Sequence, residues 1–194
     1  GMVTSVQAAY QFESGLIPNW YVGGIVGEAV LLELAPMLTA LVMTGKIGAT
    51  IAAEIGTMRV TEQIDALESL SFDPVSYLIL PRIIAAICMF PILIIVSDCF
   101  GIFGGFVAAI STMDLTPTEF VRGLRSWFHP WDAYYGLIKG LFFGFAITSI
   151  ACYQGFYTRA DGGANGVGKS TTASVVVSCI AILCLNYILA TLLL

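Results

Sequence analysis

The sequence predicts an all-α integral membrane protein with four visible transmembrane helices and a helical cytoplasmic segment between the first two. Three observations predict it. Of 194 residues, 58% are hydrophobic and only 11% charged, against roughly 25% charged in an ordinary soluble domain. Mean hydropathy is +0.89. A water-soluble fold of this size would need more polar residues to cover its surface, so hydrocarbon is the solvent for much of it. Finally, four apolar stretches are long enough to cross a bilayer, which takes about 20 helical residues. The length is that of one domain, residues 1–194.

The first span covers about 22–44 and contains Glu28, Glu33 and Pro36. The second, about 78–110, would be roughly 50 Å long as a helix, well beyond the ~30 Å hydrocarbon core. It must tilt, kink or protrude, and Pro81, Pro91, Gly101, Gly104 and Gly105 offer places to do so. Only Ser97 and Asp98 interrupt it, without a turn signal, so it reads as one span rather than two. The third, 134–153, holds Lys139, and the fourth, 172–193, carries no charge. The opening "GMVTSVQAAY" reads as a chain entered midway, and no cleavable leader is expected in 20 residues without Lys or Arg.

The connections differ in basic residues. Residues 45–77 hold Lys46 and Arg59, with Arg82 just inside the next span, and 154–171 hold Arg159 and Lys169. The positive-inside rule puts both in the cytoplasm and both chain ends outside. Arg122 and Arg125, in 111–133, run against that assignment. A net charge of −5, from 13 acids and 8 bases, excludes a nucleic-acid partner. The five cysteines form no C-x-x-C and read as buried free thiols. One histidine, His129, cannot build a metal site.

"GGANGVGKST" (162–171) contains G-x-x-x-x-G-K-S from Gly163, the pattern of a nucleotide-binding loop. That loop works because a buried strand delivers it to a helix N-terminus, where amides and the lysine surround phosphate. Here a membrane span follows, another precedes, and no soluble α/β domain fits in the remaining chain. "ILIIVSD" (92–98) imitates the strand ending in a magnesium-binding acid, yet it lies in an apolar stretch too long for a strand. Residues 163–170 therefore read as a decoy: a glycine turn between spans, with Ser170 or Thr171 capping the last helix. The chain is expected to have no catalysis of its own.

The longest polar segment is "KIGATIAAEIGTMRVTEQIDALESLSFDP", 46–74. Ile51, Ile55 and Met58 keep helical spacing, as do Ile64 and Leu67, while Glu54, Glu62, Asp65 and Glu68 line other faces. This predicts one or two amphipathic helices lying at the membrane surface. Its acids suit docking into a protein partner better than anchoring on anionic lipid; a solvated connecting helix is the plainer reading. Glu28 and Glu33, five residues apart at 100° each, fall about 140° apart and do not share a face. Acids inside a span face a cavity or a partner. Glu33 precedes Pro36, whose missing amide loosens the helix. Glu33 and Lys139 meet across the bundle, or each snorkels to its nearest interface, and Asp98 presents the same choice.

Residues 33–85, "ELAPMLTALVMTGKIGATIAAEIGTMRVTEQIDALESLSFDPVSYLILPRIIA", resemble the signature region of the MlaE/YrbE permease family. The resemblance continues through "GIFGGF", "LIKGLFFG" and "GGANGVGKSTTASVVVS" to the end of the chain, and E-x-G-x-M-x-V-T-E-Q-I-D-A-L is its most specific part. It implies a permease subunit of an ABC transporter in the bacterial inner membrane. Such a subunit is a homodimer that works with two cytoplasmic ATPase subunits and a periplasmic MCE-domain protein. The cargo is lipid, phospholipid-like, and ATP is bound by the partner, so this chain needs no cofactor. The resemblance makes Glu54, Gly56, Met58, Arg59, Thr61, Glu62, Gln63 and Asp65 the surface that receives ATPase motion. It sets Glu33 and Lys139 at a lipid-binding cavity. Leu32 departs from it, since relatives often carry Arg there, which removes any headgroup contact that Arg would make. The family also has an N-terminal surface helix and a further span, so five spans are expected in the full subunit, with its N-terminal part missing here. The alternatives are a nucleotide-loop enzyme and an ion-coupled secondary transporter using Glu33, Asp98 and Lys139 as a relay.

Overall fold

The structure, a computed structural model, describes residues 1–12, 21–113, 115–159 and 162–193. Residues 160 and 161, part of the glycine-rich connection, lie outside the described residues. Every element among the described residues is helical. In hydrocarbon each backbone amide must find its partner within the chain, and a helix does this segment by segment. α1 spans Met2–Phe12. The first span is one continuous helical run, Tyr21–Val60. It comprises α2 (Tyr21–Ala29), a π-helical turn (Val30–Leu34), α3 (Ala35–Met43), a second π turn (Thr44–Gly48) and α4 (Ala49–Val60). α5 (Gln63–Ser69) follows, then a third π turn (Val75–Ile79) leading into α6 (Leu80–Met113). α7 (Pro117–Trp127), α8 (Pro130–Phe156) and α9 (Gly163–Leu193) complete the chain.

Two boundaries differ from the sequence reading. Residues 46–60 do not form a separate helix; they continue the helix of the first span, whose 40 residues make a helix of about 60 Å. The fourth span begins at Gly163, not near 172, so the expected glycine turn with a Ser170 or Thr171 cap is helix. The Ser170 hydroxyl donates to Val167 O at 2.9 Å and that of Thr171 to the same oxygen at 2.7 Å, both inside the helix. At Gly56 and Ser170 small residues serve close helix packing instead of ending a helix.

Two of the π turns have a visible cause. Ala35 N–H reaches back five residues to Val30 O, and Leu80 N–H likewise to Val75 O. The next residue is proline each time, Pro36 and Pro81. A proline offers no amide, and its ring crowds the carbonyl four residues back, which pushes the preceding turn wide.

The chain divides into two compact units, Gly1–Leu38 with Ile92–Ile138 and Thr39–Pro91 with Lys139–Leu194. In the first, Val22, Val26 and Val30, spaced by four, form a buried stripe with Ala109, Leu115 and Phe120. α7 packs along α2. At Gly23 a Cβ would collide with the Phe120 carbonyl oxygen, a backbone atom that cannot step aside, so α7 approaches α2 as closely as backbones allow. In the second unit, Ala40, Ala86, Phe90, Phe143, Ile147, Ile182 and Leu189 form one core. Ile55, Ile64 and Cys152 form another, flanked by Ile51, Met58, Leu78, Ile79 and Phe156. α4 packs along α9. On this seam a Cβ at the buried Gly56 would lie 3.4 Å from Ser170 Oγ of α9, and Ser174 and Ser178 follow Ser170 at four-residue spacing, also buried. Such seams let membrane helices approach closely.

α6 and α9 leave large apolar side chains exposed along their length, among them Ile84, Ile92, Phe100 and Phe103, and Ile180, Leu183 and Ile188. An exposed apolar surface of this extent is a lipid-facing surface.

Candidate functional site

The connection between the first two spans is a helical elbow, built by α4, α5 and the start of the second span. α4 ends at Val60, and Glu62 then turns the chain in the left-handed conformation, φ 60 and ψ 15. A non-glycine residue there is uncommon. Two devices hold it. Ile64, with no exposure at all, plugs the Ile55/Cys152 cluster. Arg59 Nη1 binds Asp65 Oδ1 at 2.6 Å across the turn, while its guanidinium lies 5.9 Å from the centre of the Phe156 ring. A second ion pair, Arg82 Nη2 to Glu54 Oε2 at 3.0 Å, ties α4 to the second span. That span is started by Asp73. Its carboxylate accepts from the Ser76 hydroxyl at 2.6 Å and from the Val75 and Ser76 amides at 3.2 and 3.3 Å. Those donors, the Ser76 hydroxyl foremost, hold the Asp73 carboxyl below the usual range.

The eight residues expected to receive a partner's motion therefore divide by environment. Thr61, Glu62 and Gln63 are exposed at the tip, and the Thr61 hydroxyl donates to Thr57 O at 2.8 Å. Glu54 and Asp65 are exposed but engaged in the ion pairs, and Arg59 is half-buried. Met58 is half-buried against the Ile55 cluster. Gly56 is buried, and a Cβ there would lie 3.0 Å from Thr158 Oγ1 and 3.4 Å from Ser170 Oγ, so it faces α9 rather than a partner. Sequence reasoning did not connect Arg82, Phe156, Thr158 or Ser170 with this elbow. Arg82 carried a signal, since a base just inside a span calls for an acid nearby.

Glu33 lies in the π turn before Pro36, half-buried, in the first unit. Lys139 belongs to the second unit and is fully buried, which excludes snorkelling to an interface. On α8 it shares a face, at four-residue spacing, with the buried Phe143, Ile147 and Ala151. Asp98 is half-buried within α6. Residues 163–170 are helical, so the pattern that imitates a nucleotide loop does not form one. Lys169, Arg159, Gln154 and Asn165 line an open cavity of about 530 Å³ beside it.

Apolar membrane-crossing helices and an apolar outer surface define the class: a multi-pass membrane protein. The family model for permease MlaE matches residues 1–192, and the chain belongs to that family of ABC transporter permeases. It is 44% identical over 189 residues to a probable ABC transporter permease protein of Rickettsia prowazekii, covering 97% of this chain and 72% of that one. It is 44% identical over 191 residues to a similarly named protein of Synechocystis, covering 98% and 71%. It is also 35% identical over 190 residues to the chloroplast protein trigalactosyldiacylglycerol 1 of Arabidopsis thaliana, covering 98% of this chain and 53% of the relative. The chain thus spans between about half and three quarters of the length of these relatives. As an ABC permease it associates with an ATPase subunit.

Proposed function

We propose that this permease moves phospholipid-like lipid between the bacterial inner membrane and a periplasmic MCE-domain protein, as a homodimer driven by separate ATPase subunits. The family supports the ATPase, and the galactolipid in the name of the Arabidopsis relative supports a lipid cargo. Apolar walls suit acyl chains, which gain little from polar ones.

The observation that carries the coupling part is the elbow tip, an exposed carboxylate at Glu62 on a turn seated by the fully buried Ile64. A force applied at Thr61–Gln63 passes through Ile64 into the core around Ile55, and so into the first span. In this reading the elbow is cytoplasmic, and Glu62 docks against a cation on the ATPase subunit. Glu33 is assigned to the cargo's polar group, and Lys139 is assigned to the same chemistry and tested separately.

The experiment is lipid transfer and ATP turnover by the reconstituted complex. Glu62→Gly keeps a left-handed turn and deletes the carboxylate. It should lower lipid-stimulated ATP turnover while the subunit stays folded. Wild-type turnover in Glu62→Gly and in Glu62→Lys would reject the docking surface. Glu33→Ala and Lys139→Met should each slow lipid transfer with the ATPase still bound. Transfer that collapses with the proton or sodium gradient, without ATP, would replace this reading by ion-coupled transport.

A further inference from the structure

We propose that the cavity between the end of α8 and the start of α9, continued by a groove along α9, is a binding site for one anionic phospholipid. Gln154, Tyr157, Arg159, Asn165 and Lys169 line the cavity, which holds about 530 Å³. Its buried wall is Thr158 and Ser170, 6% and 8% exposed. That wall is fixed by the chain itself. The Thr158 hydroxyl donates to Gln154 O at 3.1 Å and that of Ser170 to Val167 O at 2.9 Å. At Gly166 a Cβ would lie 2.9 Å from the Arg159 carbonyl oxygen, so the connection meets α9 at backbone distance.

Among the described residues the charge of the cavity is positive and uncompensated. Arg159 and Lys169 are exposed, and no described carboxylate lines the space. The ion pairs of this unit join Arg59 to Asp65 and Arg82 to Glu54, and involve neither base. Asp161, in the same connection, lies outside the described residues.

The groove decides which kind of anion belongs here. About 800 Å³ in volume, it runs past Thr172, Val176 and Val177, and it shares Asn165, Lys169 and Ala173 with the basic cavity. A polar chamber thus opens onto an apolar trough. Val176 and Val177 are exposed, which places the trough on the lipid-facing side of α9. Phosphate suits the chamber: a guanidinium fork pairs with two of its oxygens, an ammonium adds a point charge, and the Gln154 and Asn165 amides are neutral donors. An acyl chain suits the trough, whereas a free anion or an acidic peptide would leave the two valines uncovered. The level is that of headgroups. The cavity lies where the third span, Pro130–Phe156, gives way to the fourth, Gly163–Leu193. Tyr153 and Tyr157 stand exposed there with ring centres 4.8 Å apart, as aromatic residues do at a membrane interface. The proposal rests on the membrane-spanning fold and not on Glu33, Lys139 or the cargo assigned above, so its failure would leave the transport reading standing.

The test is native mass spectrometry of the intact complex of permease and ATPase, titrated with phosphatidylglycerol or phosphatidylcholine of equal chain length. Phosphatidylglycerol should bind the wild type more tightly, by about fivefold for each base engaged. R159Q/K169Q should abolish the preference and R159K/K169R should keep most of it, which separates lost charge from misfolding. Ala173→Phe fills the junction of chamber and trough with both bases intact and should also remove the preference; a wild-type preference in this variant would overturn the lipid assignment. Excess inorganic phosphate should leave phosphatidylglycerol bound, and displacement would show a free-anion site instead. Equal affinity for the two lipids in the wild type overturns the proposal. So does dissociation of the ATPase subunit in R159Q/K169Q with the lipid preference intact, since the cavity would then be a protein contact. A rise in affinity in Asp161→Asn as large as the fall in R159Q/K169Q would mean that the chain's own carboxylate fills the cavity, and would overturn it too.

Discussion

Two connections in this molecule do the same topological work and are built in opposite ways. The elbow after the first span exposes Glu54, Glu62, Asp65 and Glu68; the connection after the second exposes Arg122 and Arg125. The elbow is seated by one plug, Ile64, and by two ion pairs at 2.6 and 3.0 Å. α7 is pressed onto α2 at backbone distance, with Gly23 under the Phe120 carbonyl. On the proposed reading, the part that moves under load keeps its polar groups outward and its anchorage in side chains. A part meant to stay in place is fixed through the main chain.

That contrast can be broken. Gly23→Val forces a side chain into the Phe120 carbonyl, which cannot yield, and should cost about 3 kcal/mol or prevent recovery of folded subunit. Thermal unfolding in detergent measures it, and a wild-type midpoint would mean that α7 is not clamped. Ile64→Val trims the plug by one methylene and should cost about 1 kcal/mol. A larger effect on ATP-coupled transfer than on the unfolding midpoint would sharpen the picture of Ile64 as a transmitter. Arg59→Gln removes a half-exposed pair and should cost about 0.5 kcal/mol at most, less in high salt. A loss several times greater would mean that ion pairing, rather than Ile64, seats the elbow.

The smallest effect concerns pH. The amide of Thr116, and then its hydroxyl, hold the Glu119 carboxyl below its usual range. A depressed folded value stabilises α7 fully above the unfolded carboxyl value of about 4.3 and loses that contribution as pH falls through the lower, folded value. Amide exchange over 117–121, corrected for intrinsic rates, should accelerate in that acid window in the wild type and not in Glu119→Gln. Asp73 is held low by the Ser76 hydroxyl and should behave in the same way at the start of the second span.

The helical fold and the spans were legible in the sequence because hydrocarbon solvation leaves a compositional trace that no packing detail can erase. The one-span reading of 78–110 matches the continuous helix Val75–Ser111, with Pro91 inside it. Less legible was where helices begin. "GGANGVGKS" looks like a turn to any rule that counts glycines, yet Ser170, Ser174 and Ser178 continue that stretch as a buried stripe, and α9 packs along α4. Propensity describes an isolated helix in water and says little about a seam where small side chains let two helices touch. The polar residues of the elbow could be listed as a group from sequence, but not sorted. That Gly56 faces inward, that Asp65 is bound to Arg59, and that Glu62 stands at a left-handed turn are products of tertiary packing.

The wide turn ahead of Pro36 changes how azimuth is counted along the first span. Counting at a uniform pitch sets Glu28 and Glu33 about 140° apart. A segment whose amides reach back five residues turns less per residue, and Ala35 bonding to Val30 shows that this stretch is such a segment. The two carboxylates are therefore rotated toward a common side. A scheme of transport that sends them to opposite flanks of the helix is drawn on the wrong screw.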